Sequence, residues 1–271
     1  MICSAEDDWH RRKQRVELPG GRPIAFVDSG GSGPALLLLH GFSDTSRSYC
    51  ALEPILSGYR LIIPDLPGHG HSAMGDGVRV SDFAASVEQF LAFLGISQIA
   101  VIGHSMGAMT AIEIAARRRD DVSALVLLSA SLTPNFGSSS PLTREIRALR
   151  DPIDPDGQFL REWYSCSRPV EPGFLSKMKR DAAAMPAAVW HGILEGFAET
   201  DLRQTAMRVT APVLCIGGSA DPLFGGSHRE ALAQAFPSVQ SITLEGYGHN
   251  PHWEDPQRVS ALIVSFLRRQ E

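Results

Sequence analysis

The chain lacks any apolar run as long as the roughly 18 residues that a membrane span needs. Its N-terminal stretch is polar and charged where a signal peptide would be apolar. These two absences predict a protein that makes no membrane contact and stays in the cytoplasm. Cysteine is scarce as well, and the four residues, Cys3, Cys50, Cys166 and Cys215, show neither C-x-x-C nor metal-type spacing. We therefore expect reduced thiols and no metal site.

An excess of positive charge is also absent. Lysine and arginine number 25 against 30 acidic residues, and the formal net charge is -5 at pH 7. The basic residues are scattered along the chain, which argues against nucleic acid or an anionic membrane as a partner. With 271 residues and 44% hydrophobic content, the chain suits one α/β domain with a modest insertion. We expect a small-molecule substrate and a monomer or homodimer.

Short apolar runs alternate with longer amphipathic stretches. Residues 1–15 show no apolar period and predict a flexible N-terminal extension. Two alternating stretches joined by Pro19-Gly20-Gly21 follow, which is typical of a hairpin. Buried strands are then predicted at 35–40, 60–65, 98–103 and 124–129, with helices at 81–94 and 106–118. Repeated strand-helix units of this kind indicate a parallel sheet.

The pattern stops near Thr133 and resumes at 211–218. A helix near 228–236, a strand at 239–244 and a closing helix near 256–269 complete it. The intervening residues, 134–207, contain helical stretches separated by prolines and predict a helical cap. The expected fold is an α/β domain, with a mostly parallel central sheet of about eight strands flanked by helices. Its core spans 16–133 and 208–271, and the cap follows the sixth strand.

The pentapeptide Gly103-His104-Ser105-Met106-Gly107 lies between a predicted buried strand and a predicted helix. This is the context of a nucleophile elbow, in which a strained turn lifts the serine hydroxyl clear of the sheet. The turn also points the amide of Met106 toward negative charge that develops on a substrate carbonyl. A second amide donor is expected from Phe42, which follows the first parallel strand in His40-Gly41-Phe42. His40 itself is expected to brace the loop.

A serine hydroxyl needs a base, and the base needs a partner that fixes its tautomer. Asp221 follows the strand at 211–218, and His249 follows the strand at 239–244. Since the carboxyl ends of parallel strands meet at one edge of a sheet, both should converge on Ser105. His252 is the alternative base. The flanking glycines, Gly246 and Gly248, favour His249 because they suit a tight loop that presents it.

These residues resemble the α/β-hydrolase superfamily, in particular its small bacterial esterases, lactonases and carbon-carbon bond hydrolases. The resemblance covers nearly the whole chain from about Val16. Its motifs are HGF at 40–42, DLPGHGHS at 65–72, GHSMG at 103–107, SADP at 219–222 and GYGHNPHWEDPQRV at 246–259. Serine at position 105 differs from the carboxylate nucleophile of the superfamily's haloalkane dehalogenases and epoxide hydrolases. The resemblance therefore implies an acyl-serine route that needs no cofactor.

Three functions are compatible with this interpretation. The first is hydrolysis of a carboxylic ester or lactone of a small to medium, largely apolar substrate. The second is carbon-carbon hydrolysis of a diketone or ring-fission product by the same triad, and the third is a ligand-sensing receptor that signals through movement of the cap. Six apolar side chains are candidates for the substrate pocket: Phe136, Trp163, Tyr164, Met185, Trp190 and Leu223. Packing of the cap onto the core would explain each of them equally well.

Overall fold

The computed structural model describes residues 8–270, and in this part of the chain eight strands form one sheet. The spatial order is β1-β2-β4-β3-β5-β6-β7-β8, and only β2 runs antiparallel to its two neighbours. The strands are β1 (Gln14–Leu18), β2 (Arg22–Asp28), β3 (Ala35–Leu39), β4 (Arg60–Pro64), β5 (Ile99–His104), β6 (Val122–Leu128), β7 (Val213–Gly218) and β8 (Val239–Leu244). The predicted fold class is confirmed.

Helices cover the sheet and fill the long connection between β6 and β7. Their bounds are α1 (Asp8–Arg11), α2 (Val80–Phe93), α3 (Met106–Arg117), α4 (Pro141–Ala148), α5 (Gln158–Trp163), α6 (Pro172–Ala183), α7 (Ala187–Ala198), α8 (Arg203–Ala206), α9 (Gly226–Ala235), α10 (Pro251–Glu254) and α11 (Pro256–Leu267). A short 3-10 helix spans Ser46–Tyr49. We refer to helices α4 to α7, which lie in the insertion after the sixth strand, as the cap.

The central strands are buried along nearly their whole length. Every residue of β5 and β7 is buried, and so are Leu36 to Leu39 of β3. Parallel strands flanked by helices on both faces have no solvent side, so their sequences are continuous apolar runs without alternation. The sheet therefore forms a rigid platform whose carboxyl edge carries the loops described below.

An ion-pair network joins the cap to the core. Asp181 on α6 accepts hydrogen bonds from Arg47 Nε at 2.9 Å and from Thr45 Oγ1 at 3.0 Å. Burial alone would raise the pKa of Asp181, but the hydrogen bond of His10 and the charge of Arg47 lower it to about 2. The carboxylate is thus ionised and anchored to the core side chain that it faces.

Residues 8–15, which we expected in a flexible extension, form α1 and the start of β1. Trp9 is buried and donates its indole N–H to Ser46 Oγ at 3.1 Å. Lys13 forms a buried ion pair with Asp65, with a Nζ–Oδ2 distance of 2.7 Å. These contacts hold residues 8–15 against the core. Residues 1–7 of the expected extension lie outside the described residues.

The thiols differ from expectation at one position. Cys50 is disulfide-bonded, whereas Cys166 and Cys215 are free. The expectation of reduced thiols is therefore wrong for Cys50, and Cys3 lies outside the described residues. Between residues 8 and 270, no helix is long and apolar enough to cross a bilayer.

Candidate active site

Ser105 occupies the tight turn between β5 and α3. Its backbone has φ 53° and ψ -115°, which a residue with a β-carbon rarely adopts. The turn is held on both sides, because the Ser105 amide donates to the carbonyl of Leu128 at 2.9 Å and its carbonyl accepts the amides of Ala108 and Met109. This strained conformation persists because the surrounding structure fixes it, and it directs the side chain away from the sheet.

Two glycines flank the turn because it is too crowded for a side chain. A β-carbon at Gly103 would lie 2.3 Å from the carbonyl oxygen of Gly107, and one at Gly107 would lie 2.0 Å from that of Leu39. Both distances are far shorter than a van der Waals contact. The glycines therefore allow α3 to start directly against β3 and β5.

Ser105, His249 and Asp221 form one hydrogen-bonded line. Ser105 Oγ lies 3.0 Å from His249 Nε2, and His249 Nδ1 lies 2.9 Å from Asp221 Oδ2. An ionised carboxylate can only accept, so Nδ1 carries the proton and Nε2 presents its lone pair to the serine. The sequence predicted these three residues, and the loops after β5, β7 and β8 bring them together.

The Asp221 carboxylate is ionised although it is buried. Burial raises its pKa, but the electrostatic interaction and hydrogen bond with His249 and the backbone amides of Phe224 and Leu223 outweigh this effect and lower the pKa. The two amides donate to Oδ1 at 3.1 and 2.8 Å, which leaves Oδ2 for the histidine. The negative charge is therefore fixed beside the imidazole that would become cationic.

The other histidines near the site form hydrogen bonds with the loops around it. His252, the alternative base, is fully buried and its Nε2 lies 3.0 Å from Ser48 Oγ, so that nitrogen does not face Ser105. His40 Nε2 accepts the amide of Leu66 at 2.8 Å, the bracing contact that we expected. His104 Nε2 donates to the His249 carbonyl at 2.9 Å. Burial lowers the pKa of all three, that of His40 to about 3, so they add no positive charge beside His249.

The two candidate oxyanion donors follow neighbouring strands. Phe42 comes shortly after β3, and Met106 is the first residue of α3 directly after β5. Among the described residues, neither backbone amide donates a hydrogen bond to another group of the chain. An unpaired amide at a helix N-terminus is a ready donor for an anion.

A cavity of about 190 Å³ lies between this edge of the sheet and the cap. Its lining includes Ser105, His249, Phe42 and four of the six candidate pocket residues: Phe136, Trp163, Tyr164 and Leu223. Met185 and Trp190 are buried but do not line it. Trp190 packs behind the wall, with its ring 4.8 Å from that of Phe42 and 5.7 Å from that of Trp163. These two candidates therefore lie outside the cavity wall, because an apolar side chain of the insertion can be buried against the core without facing the cavity.

Sequence reasoning missed most of the polar side chains of the cavity. These are Asp44, His104, Glu145, Glu162, Ser165 and Asn250. His104 belongs to the motif at 103–107, and Asp44 lies two residues after the motif at 40–42, so the sequence contains a signal for both positions. Glu145 and Glu162 are exposed on cap helices, where nothing in the sequence distinguishes them from solvated charges.

The family model of the alpha/beta hydrolase fold matches residues 34–256. The chain therefore belongs to the α/β-hydrolase family, as the sequence resemblance implied. It is 27% identical to an uncharacterized protein of Mycobacterium tuberculosis over 89% of this chain and 77% of the relative. It is 28% identical to a pimeloyl-[acyl-carrier protein] methyl ester esterase of Aromatoleum aromaticum, over 87% and 98% of the two chains. A thermophilic esterase from Thermogutta terrifontis superposes with a TM-score of 0.77 at 25% identity, covering 95% of this chain and 98% of that one.

Proposed function

We propose that the protein is a serine hydrolase that cleaves a carboxylic ester or lactone through an acyl-serine intermediate. The observation that carries this proposal is the Ser105–His249–Asp221 line, with its 3.0 and 2.9 Å contacts, opening into a cavity beside two unpaired amides. The esterase relatives support the same reaction class. The proposed substrate is a small molecule, and the acyl-serine mechanism needs no cofactor.

In acylation, Ser105 Oγ attacks the substrate carbonyl while His249 Nε2 takes the hydroxyl proton. Asp221 stabilises the imidazolium that forms, since its charge lies 2.9 Å from Nδ1. The amides of Phe42 and Met106 donate to the oxyanion. Each such donor contributes roughly a 100- to 1,000-fold factor in kcat. His249 then protonates the leaving alcohol, and the acyl group stays on Ser105.

In deacylation, the same histidine takes a proton from water, and the resulting hydroxide attacks the acyl carbonyl. The tetrahedral intermediate collapses, the carboxylic acid leaves, and Ser105 regains its proton from His249. Because His104 and His252 are neutral, the only imidazolium in the cluster is the one that the reaction forms. Their neutrality avoids a repulsion that would disfavour proton transfer to His249.

The wall of the cavity favours an apolar substrate of limited size. Most of the apolar residues in the lining are aromatic, and the charged groups among the lining residues are all acidic: Asp44, Glu145 and Glu162. A carboxylate on the substrate would be repelled by these groups and would find no Lys or Arg in the lining. We therefore expect neutral esters or lactones with short acyl chains to be the better substrates.

The test compares the wild type with Ser105→Ala and with Ser129→Ala as a matched control. Ser129 is also a buried serine with positive φ at the end of a neighbouring strand, but it does not line the cavity. Each protein is treated with a fluorophosphonate probe and assayed with p-nitrophenyl esters of increasing chain length and with lactones. Labelling and turnover should both disappear in Ser105→Ala and persist in Ser129→Ala.

Two outcomes would change the assignment. Hydrolysis that survives in Ser105→Ala would show that another group is the nucleophile, which contradicts the mechanism. Labelling of Ser105 without turnover of any ester or lactone would keep the nucleophile and overturn the substrate class. In that case diketone cleavage and ligand-dependent capture of a partner protein would be measured next.

A further inference from the structure

The residue next to the Phe42 amide is conformationally strained. Ser43 has φ 66°, in the left-handed region that favours glycine, and it is almost completely buried. A serine held in this region costs about 1 kcal/mol or more unless neighbouring groups compensate. The Phe42 amide lies one peptide unit before Ser43, so the contacts that hold Ser43 also restrain the loop that carries Phe42.

Those contacts come from the cap. Trp163, the last residue of α5, donates its indole N–H to Ser43 Oγ at 2.8 Å. The hydroxyl of Tyr164 lies 3.2 Å from Ser43 Oγ and 3.1 Å from the Ser43 carbonyl oxygen. Within the described residues, Ser43 therefore has polar partners on α5 and its C-cap that are about 120 positions away in sequence.

The direction of each hydrogen bond follows from the chemistry of the groups. An indole N–H can only donate, so Ser43 Oγ accepts from Trp163 and its own proton is free for Tyr164. Tyr164 then donates its proton to the Ser43 carbonyl, with Asp44 Oδ1 at 3.3 Å as the neighbouring acceptor. Burial raises the pKa of Tyr164 well above its ordinary value, so the hydroxyl stays a donor. The chain of bonds leads from the indole through the serine hydroxyl and back to the serine backbone.

The same two cap residues line the cavity. Trp163 and Tyr164 contact the space that holds Ser105 and His249, and the ring of Trp163 also packs edge-on against that of Phe42 at 5.7 Å. A ligand in the cavity therefore touches the side chains that hold the loop. No other part of the cap in the described structure hydrogen-bonds to residues 42–44.

We infer that Trp163 and Tyr164 are positioning residues, which set the oxyanion-binding amide of Phe42 through hydrogen bonds to the strained Ser43. The inference rests on the proposed serine-hydrolase function. It assigns the cap a role in catalysis as well as in enclosing the substrate. The oxyanion site is then complete only while the end of α5 is seated on the loop after β3. A substrate that packs against Trp163 and Tyr164 favours this seated state and therefore promotes its own hydrolysis.

The test uses Tyr164→Phe and Ser43→Ala, singly and together, with Tyr247→Phe as the matched control. The Tyr247→Phe substitution also removes a hydroxyl hydrogen bond, the 2.8 Å bond to Asp255 Oδ2, and Tyr247 does not line the cavity. The readouts are kcat and KM for the best p-nitrophenyl ester and the rate of phosphonylation by the fluorophosphonate probe. Ser105→Ala is assayed in parallel, and the thermal unfolding midpoint is measured for every variant.

Tyr164→Phe and Ser43→Ala should each lower kcat by about 10-fold or more, since displacement of a catalytic group by about 1 Å can cost 100-fold. KM should stay within about twofold of wild type, because the interaction acts in the transition state. Phosphonylation should slow in parallel with kcat. The double variant should resemble the single ones, because both changes break the same chain of bonds. Tyr247→Phe should keep the wild-type kcat.

A loss confined to KM would overturn the inference, because it would make Tyr164 a ground-state substrate contact. An unchanged kcat in both variants would overturn it too, as would an equal loss in Tyr247→Phe. If Ser43→Ala does not fold, Trp163→Phe takes its place with the same expected kcat loss. The proposed function fails separately, by activity that survives in Ser105→Ala.

Discussion

Ser105→Gly and Ser105→Ala both remove the hydroxyl, but they differ in their effect on backbone strain at this position. With φ 53° and ψ -115°, Ser105 lies in a region that a β-carbon makes costly, by about 1 to 3 kcal/mol. Ser105→Ala keeps that strain, whereas Ser105→Gly releases it. Glycine also gains unfolded-state entropy, which costs about 0.5 to 1 kcal/mol relative to alanine. The difference predicts that Ser105→Gly is more stable than Ser105→Ala, by up to about 2.5 kcal/mol.

The free energy of unfolding of both variants is measured by urea denaturation with linear extrapolation. Ser86 provides the control, because it lies inside α2 with ordinary helical geometry. There glycine should be less stable than alanine by about 1 kcal/mol, so the sign of the difference reverses between the two sites. A Ser105→Gly variant that is less stable than Ser105→Ala would refute the argument that Ser105 is held under strain.

Two further predictions concern packing and acid stability. Gly107→Ala places a β-carbon 2.0 Å from the Leu39 carbonyl, so we expect a loss of about 3 kcal/mol or more, or no folded protein, in a urea titration. Gly58→Ala, where nothing lies within 4 Å, should change the free energy of unfolding by less than about 0.5 kcal/mol, and equal effects would contradict the prediction. Burial lowers the pKa of four histidines below the ordinary 6.5, so the unfolded chain binds more protons than the folded one in acid. Stability should then be fully present above about pH 6.5 and fall below it, by up to about 1.4 kcal/mol per pH unit for each histidine. Urea midpoints from pH 7.5 to 4.5 measure this slope, and flat midpoints would contradict the burial of His40, His69, His104 and His252.

The line of Ser105, His249 and Asp221 could be predicted from the sequence because each residue has a local signal. Each follows a short apolar run, and parallel topology brings the ends of such runs to one edge of the sheet. The closeness of the three loops then follows from the consecutive positions of β5, β6, β7 and β8 in the sheet. The strand order therefore brings the three residues to the same edge of the sheet. An error of one or two residues in a predicted strand boundary does not change this prediction.

The wall of the cavity could not be predicted in the same way. Trp163 and Trp190 are both apolar residues on cap helices, yet Trp163 lines the cavity and Trp190 packs behind it. Their difference depends on how α5 and α7 lie over the sheet, which no local pattern encodes. The bond from Trp163 to Ser43 is equally non-local, since it joins residues 120 positions apart.

The contacts of residues 8–15 could not be predicted for a related reason. These residues are mostly charged and show no periodic pattern of apolar side chains, which is typical of a solvated extension. Lys13 is nevertheless buried, because Asp65 lies 2.7 Å away and accepts its charge. The Asp65 carboxylate also accepts the amides of Ser46 and His71, so it is a buried anion that needs a cation. The pairing of Lys13 with Asp65 can be recognised only when the positions of both residues in the fold are known.

Strain in this molecule is concentrated where the proposed chemistry takes place. In the part of the chain that the structure describes, three non-glycine residues have positive φ: Ser43, Ser105 and Ser129. They follow β3, β5 and β6, which are consecutive neighbours in the sheet, so all three lie along one stretch of its carboxyl edge. Strained backbone survives only where its surroundings fix it, and here Leu128 holds Ser105 while the cap holds Ser43. The strain that the fold tolerates at this edge therefore positions Ser105, the proposed nucleophile, and the loop that carries Phe42, the proposed oxyanion donor.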